Sequence, residues 1–169
     1  MDYSPEFREV LDFIYSFTFN GRKNRKSRGE VTPPSLDTMN ALMQSMGQPH
    51  ISYKVIHIAG TKGKGSTANF IANTLVKAGY KVGLYTSPHL HDFSERIRVD
   101  GEMISHQDIA EIVFKIKSFF ETHPEINTFE IITAVAFEYF RKMNVEIAVV
   151  EVGLGGRFDA TNVVKPMLS

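Results

Sequence analysis

A chain of 169 residues is long enough for one domain with a sizeable core, and its 43% hydrophobic and 22% charged residues are those of an ordinary water-soluble protein. Its 19 basic and 19 acidic side chains cancel, which leaves no global field to draw it to nucleic acid or a membrane, and the absence of cysteine excludes disulfide and thiolate chemistry. No apolar run approaches the roughly 20 residues that span a bilayer, and MDYSPEFREV has neither the basic start nor the apolar stretch of a signal peptide, so the cytoplasm is the expected compartment.

Ser4-Pro5 followed by Phe7, Val10, Leu11, Ile14 and Phe17 predicts a short amphipathic helix with Ser4 as cap and Pro5 at its first position. Residues 20–34 read as a charged loop closed by Pro33-Pro34. Ser35 is expected to cap a second helix, with Leu36, Met39, Leu42, Met43 and Met46 on one side as packing residues and Gly47 as its stop. YKVIHIA (53–59) is a β-rich run that passes at once into GTKGKGS (60–66). A helix with Ala68, Ile71, Ala72, Leu75 and Val76 at helical spacing follows, ending at Gly79, and KVGLYT (81–86) is the next strand. Strand, glycine loop, helix and strand make a βαβ unit with a right-handed crossover.

RIRVDGEMIS (96–105) predicts a small hairpin turning at Asp100-Gly101. Ser105 with Asp108 has the spacing of a capping box and opens a helix carrying Ile109, Ile112, Val113, Ile116 and Phe120. Another helix follows Thr128, and EIAVVEV (146–152) suits a buried parallel strand that ends in a second glycine-rich loop, GLGGRFDATN. The alternation implies an α/β fold: a mainly parallel sheet flanked by helices, of the P-loop mononucleotide-binding type. Ligands of such sheets bind beyond the carboxyl ends of the strands, where both glycine loops and Thr86-Ser87 fall.

GTKGKGS is the strongest chemical signal. Glycines let backbone N–H groups turn toward an anion, the following helix adds its positive end, and Lys64 can reach a phosphate oxygen. The match to the P-loop pattern is imperfect: Ile58 stands where the first glycine belongs, and Gly65 follows Lys64 where a hydroxyl residue is usual. The remaining hydroxyls are Ser66 and Thr67. Glu151, near the end of an apolar strand, is costly there unless paired or coordinated. Mg²⁺ beside nucleotide phosphates is a natural partner, with Ser87 as a second oxygen donor; a salt bridge to Arg157 is the structural alternative. His89 and His91 do not make a zinc site, which needs three or four convergent ligands. His57, inside a strand, reads as a satisfied core residue. Arg22, Lys23, Arg25, Lys26 and Arg28 put five of the 19 basic residues in seven positions, either as a solvated loop or as a contact for a polyanion.

Taken together, GTKGKGS, TSPHL (86–90) with FSERI (93–97), TFE (128–130) and EVGLGGRFDATN (151–162) resemble the folylpolyglutamate synthase and dihydrofolate synthase family, within the Mur-type ATP-dependent amide ligases. They occur in the family's order and spacing, and the likeness runs from about residue 35 onward. It implies that Gly60, Thr61, Lys62, Gly63, Lys64, Gly65 and Ser66 hold the ATP phosphates, with Lys64 central. Ser87 and Glu151 are implied as ligands of Mg²⁺, and Lys64 and Glu151 as the catalytic residues. Asn127, Thr128, Phe129, Glu130, Phe158, Asp159 and Ala160 are implied to line the pteridine or folate pocket, with Phe129 stacked on the ring and Asp159 accepting from its donor edge. Residues 86–96 correspond to a mobile loop between the two sites. Lys62 in place of the family's usual Asn, and Asn127 in place of Thr, are departures.

The implied reaction is ligation of L-glutamate to a folate or dihydropteroate carboxylate through an acyl phosphate, by a monomeric cytoplasmic parent that uses no nucleic acid and no membrane. Another Mur-type ligase and a non-catalytic nucleotide-binding module are the alternatives. Family members carry a further C-terminal glutamate-ligase domain, so residues 1–169 are expected to be an incomplete ATP-binding domain, inactive alone, with Ser169 at the start of a core strand.

Overall fold

Residues 147–151 are buried without exception and form an interior strand of a five-stranded sheet. The computed structural model describes residues 3–18 and 35–169. The expected loop 20–34 and its cluster Arg22, Lys23, Arg25, Lys26 and Arg28 therefore lie outside the described residues. In chain order the elements are α1 (Pro5–Ser16), α2 (Asp37–Ser45), β1 (Lys54–Ile58), α3 (Lys64–Lys77), β2 (Val82–Tyr85), β3 (Ile97–Val99), β4 (Glu102–Met103), α4 (His106–Thr122), α5 (Thr128–Lys142) and β5 (Ile147–Glu151).

The strand order is β1-β5-β2-β3-β4. β5 pairs in parallel with β1 on one side and β2 on the other, which is why it reads as one apolar run. β3 and β4 add an antiparallel hairpin at the β2 edge. Its turn has Asp100 and Gly101 both at positive φ, the conformation expected of that dipeptide. At the other edge the backbone of Met167 and Leu168 bonds to Val55 and His57, so the last residues begin a parallel pairing with β1.

The helices divide between the two faces. Among the described residues α3 covers one face, where Ala68 and Ala72 meet Ile56, Val82, Leu84, Ile147 and Val149. On the other face α1, α2, α4 and α5 pack over Val55, Tyr85, Ala148 and Val150. α5 is buried along every residue from Glu130 to Phe140, so it is a core helix, enclosed by its neighbours. Met39, Met43 and Met46 lie in this larger core, as packing residues do. Among the described residues no helix is long and apolar enough to cross a membrane.

Most predicted helix signals occur where expected. Ser4 caps α1, accepting from Phe7 N–H, and Pro5 is its first residue. α2 stops with Gly47 N–H on Gln44 C=O and Gln48 N–H on Met43 C=O, the paired bonds of a Schellman ending. Three details differ. α2 begins at Asp37 with Leu36 at the cap position, and Ser35 lies one residue earlier, its hydroxyl accepting from Asp37 N–H. Ser105 caps α4, but the Asp108 carboxylate bonds the Ser105 hydroxyl and does not close the box on its backbone amide. Asp is one methylene shorter than the Glu that makes this contact. Complete capping boxes occur instead at α5, where Asn127 is the cap and Glu130 its partner, and at the 3-10 turn Phe93–Arg96, with Asp92 and Glu95.

Candidate functional site

Three segments leave the carboxyl ends of the parallel strands and converge. Residues 59–63 follow β1, residues 86–90 follow β2, and residues 152–159 follow β5. The first reaches α3 through Gly63, which sits at φ 76° as the helix cap. No side chain caps that end, so its amides are offered to whatever approaches. Gly60, Thr61, Lys62, Gly63, Ser66 and Thr67 are exposed, and Lys64 and Gly65 are half-buried at the first turn.

Glu151 is the junction of the three segments. It is 5% exposed at the last position of β5. One carboxylate oxygen, Oε2, accepts from Ser87 N–H at 3.1 Å. The same oxygen lies 3.3 Å from where a Cβ on Gly65 would stand. A residue larger than glycine at position 65 would crowd this carboxylate, which accounts for the departure from the P-loop pattern. Among the described residues Glu151 forms no ion pair, so the salt bridge to Arg157 is absent. A buried carboxylate with one oxygen oriented by a backbone amide, beside a serine hydroxyl, is a donor set that suits Mg²⁺, which takes few protein oxygens and keeps its waters.

Ser87 also belongs to a pocket of about 450 Å³, lined by Pro88, Arg96, Asn127, Phe129, Glu130, Gly153, Leu154, Phe158, Asp159 and Ala160. The structure thus brings together six of the seven residues expected around a ring substrate. Thr128 stands apart from the lining, with its hydroxyl donating to Ile14 C=O. Phe129 presses on Gly153 so closely that any Cβ there would overlap its ring. Gly153 is therefore required by packing, at a position where the sequence showed only a glycine-rich loop. Leu154 and Phe158 stand exposed at the rim.

The polar wall of this pocket is tied to its own backbone. Asn127 Oδ1 accepts from the amides of Phe129 and Glu130, while the Glu130 carboxylate accepts from Asn127 N–H and its side-chain amide. Burial raises the Glu130 pKa above the ordinary carboxylate range, against the lowering effect of that amide. Asp159, 5% exposed, accepts from Leu154 N–H, Thr161 N–H and the Thr161 hydroxyl. The hydroxyl proton being used there, Thr161 Oγ1 receives a hydrogen bond from His57 Nε2 at 2.8 Å. His57 is the satisfied core residue expected, its pKa lowered by burial.

Residues 86–96 form a hydrogen-bonded loop that includes a cis Ser87-Pro88 peptide. The Glu95 carboxylate accepts from the amides of Leu90, His91 and Asp92, which pushes its pKa down to about 2. Arg96 Nε donates to His89 Nδ1 at 2.8 Å, and burial followed by the Arg96 charge lowers the His89 pKa. Arg96, Pro88, Gly153 and Leu154 are pocket residues that sequence reasoning missed. Arg96 had a signal, lying within the FSERI string, but nothing in the string showed which way it would face.

The chain is 44% identical over 142 residues to a dihydrofolate synthase/folylpolyglutamate synthase of Bacillus subtilis, a match covering 80% of this chain and 33% of that protein. It is similar to the crystal structure of a folylpolyglutamate synthase from Thermotoga maritima, with a TM-score of 0.83 and 43% identity over 95% of this chain and 36% of that one. An FPGS–AMPPCP–folate complex matches with a TM-score of 0.80 and 36% identity, over 95% of this chain and 38% of that one. The chain thus spans about a third of the length of the relatives it matches. No protein-family model matches it.

Proposed function

Since the chain belongs to the folylpolyglutamate synthase/dihydrofolate synthase family, we propose that it supplies the ATP-binding portion of an ATP-dependent ligase that joins L-glutamate to the carboxylate of a folate or dihydropteroate. The observation that carries this reading is Glu151, a buried carboxylate with no ion pair among the described residues, held against Gly65 and Ser87 where the three loops meet. Phosphoryl transfer asks a protein chiefly for positioning and charge stabilisation, and this junction offers both.

In this reading the amides of residues 60–66 and the N-terminus of α3 cradle the phosphates, and Lys64 meets the terminal charge. Glu151 and Ser87 would hold Mg²⁺, which when bound neutralises phosphate charge during transfer. Phe129, backed by Gly153, and Phe158 offer apolar faces to a pteridine. Asn127, Glu130 and Asp159 shape the polar wall, and the remaining acceptor capacity of Asp159 faces the ring's donor edge. The substrate carboxylate attacks the terminal phosphorus with loss of ADP. The glutamate amine then displaces phosphate from the acyl phosphate to form the amide. Residues 1–169 act as the ATP-binding domain of that enzyme. The enzyme is read as cytoplasmic and monomeric, acting on small molecules and not on nucleic acid.

The test is calorimetric binding of AMPPCP. Affinity is expected to rise with Mg²⁺ and to fall roughly 10- to 100-fold in Lys64→Ala, the worth of a hydrogen bond to a charged group. An unchanged affinity in that variant overturns the placement of the phosphates.

A further inference from the structure

The pocket is chemically unbalanced for an anionic substrate. Glu130 and Asp159 stand in its wall. Two carboxylates repel a third unless a cation is present. Arg96 is the only cation among the described residues that line it. It is half-buried, and its backbone is fixed by Thr86 N–H donating to its C=O.

The acids nearest in sequence are engaged elsewhere. Glu95 is occupied by three backbone amides, and Asp92 by Ser94 N–H and His106. Among the described residues no carboxylate lies within ion-pair distance of Arg96, and its guanidinium carbon lies 5.8 Å from the Phe93 ring. Only Nε is used by the fold, on His89 Nδ1. That bond fixes the plane of the guanidinium and leaves its two terminal nitrogens, a planar fork suited to a carboxylate. A half-buried cation without a counter-charge, in an otherwise acidic pocket, indicates where an anion belongs.

We propose that Arg96 receives the carboxylate of the pterin-bearing substrate, and that His89 is a positioning residue that holds the guanidinium for it. This rests on the folate reading of the pocket. It adds the residue that recognises the reacting end of the substrate, as distinct from its ring.

The experiment is calorimetric titration of the chain with pteroate and with pteroate amide, whose carboxylate is replaced by an uncharged amide. The unsubstituted protein should prefer pteroate by roughly tenfold or more, as a charge-assisted pair predicts. Arg96→Met should abolish the preference and leave the affinity for the amide unchanged. Arg96→Lys should keep part of it. His89→Phe should reduce the preference, and His89→Asn, which retains an acceptor, should restore it; a purely structural His89 would change both affinities together. AMPPCP affinity should be the same in all variants.

Equal binding of the two compounds by the unsubstituted protein, or an Arg96→Met variant that still prefers pteroate, overturns the proposal and leaves the pterin reading standing. Loss of AMPPCP binding in Arg96→Met overturns it by assigning the guanidinium to the nucleotide. Binding of neither compound overturns the pterin reading and this proposal with it.

Discussion

Glu151 and Asp159 are both carboxylates, both 5% exposed, eight positions apart on the same strand and its following loop. Asp159 accepts three hydrogen bonds from its own loop, two from backbone amides and one from Thr161. Glu151 accepts one, from Ser87 N–H. The fold needs the first and tolerates the second. The same contrast separates the two halves of the site. In residues 60–66 most positions are exposed, and among the described residues no side chain caps the helix end. Around Phe129, by contrast, Asn127 and Glu130 bond each other and Asp159 bonds Thr161. A polar residue in a strand-end loop can thus be there for a ligand or for the loop, and its hydrogen-bond partners distinguish the cases.

Substitutions that remove one member of each pair break or sharpen this contrast. Asp159→Ala should be the most damaging, since it leaves the buried Thr161 amide and hydroxyl and the half-buried Leu154 amide without an acceptor; a loss of about 3 kcal/mol in urea denaturation is expected. If it unfolds at the same urea concentration as the parent, Asp159 is not holding the loop. Gly153→Ala should cost about 1–3 kcal/mol, because the new Cβ overlaps the Phe129 ring. Phe129→Leu in the same chain should recover part of it. Asn127→Ala removes the α5 cap and strips Glu130 of a side-chain donor, for a loss of about 1 kcal/mol in the same assay. Glu151→Ala should change stability by no more than about 0.5 kcal/mol, or raise it, since an unpaired buried charge is removed. The same variant should bind AMPPCP without the Mg²⁺ dependence of the parent. A large loss of stability in Glu151→Ala would return that residue to a structural role.

Much of the fold was legible. The β-rich runs at 53–59, 81–86 and 146–152 became the three parallel strands, and the glycine-rich segments fell at their carboxyl ends. Periodicity gave the core faces of α1 and α2. It was less informative for α5, whose burial on all sides follows from packing between the sheet and three helices. Cap identities were legible only to within a residue, because a serine or aspartate can bond to the hydroxyl or the amide of its partner. In the first glycine loop, the identity of Gly65 departed from the usual pattern for a reason that required Glu151 to be placed. Asn127 and Glu130 were expected as substrate contacts, and the structure shows them first as a helix cap.

The sequence by itself determined the α/β class, the hydrophobic strands, the glycine loops that follow them and the likeness to a ligase family. These depend on local chemistry: β-branched runs, helical spacing, and residues that permit a turn. Only the tertiary structure decided that Glu151, Gly65 and Ser87 share one carboxylate's surroundings, that Gly153 is fixed by an aromatic ring 24 positions earlier, and that Arg96 lines the same pocket as Phe129 and Asp159. Each of these depends on which side chains are brought within a few ångströms by strands that are not adjacent in the chain, and contact at that range has no signature in spacing.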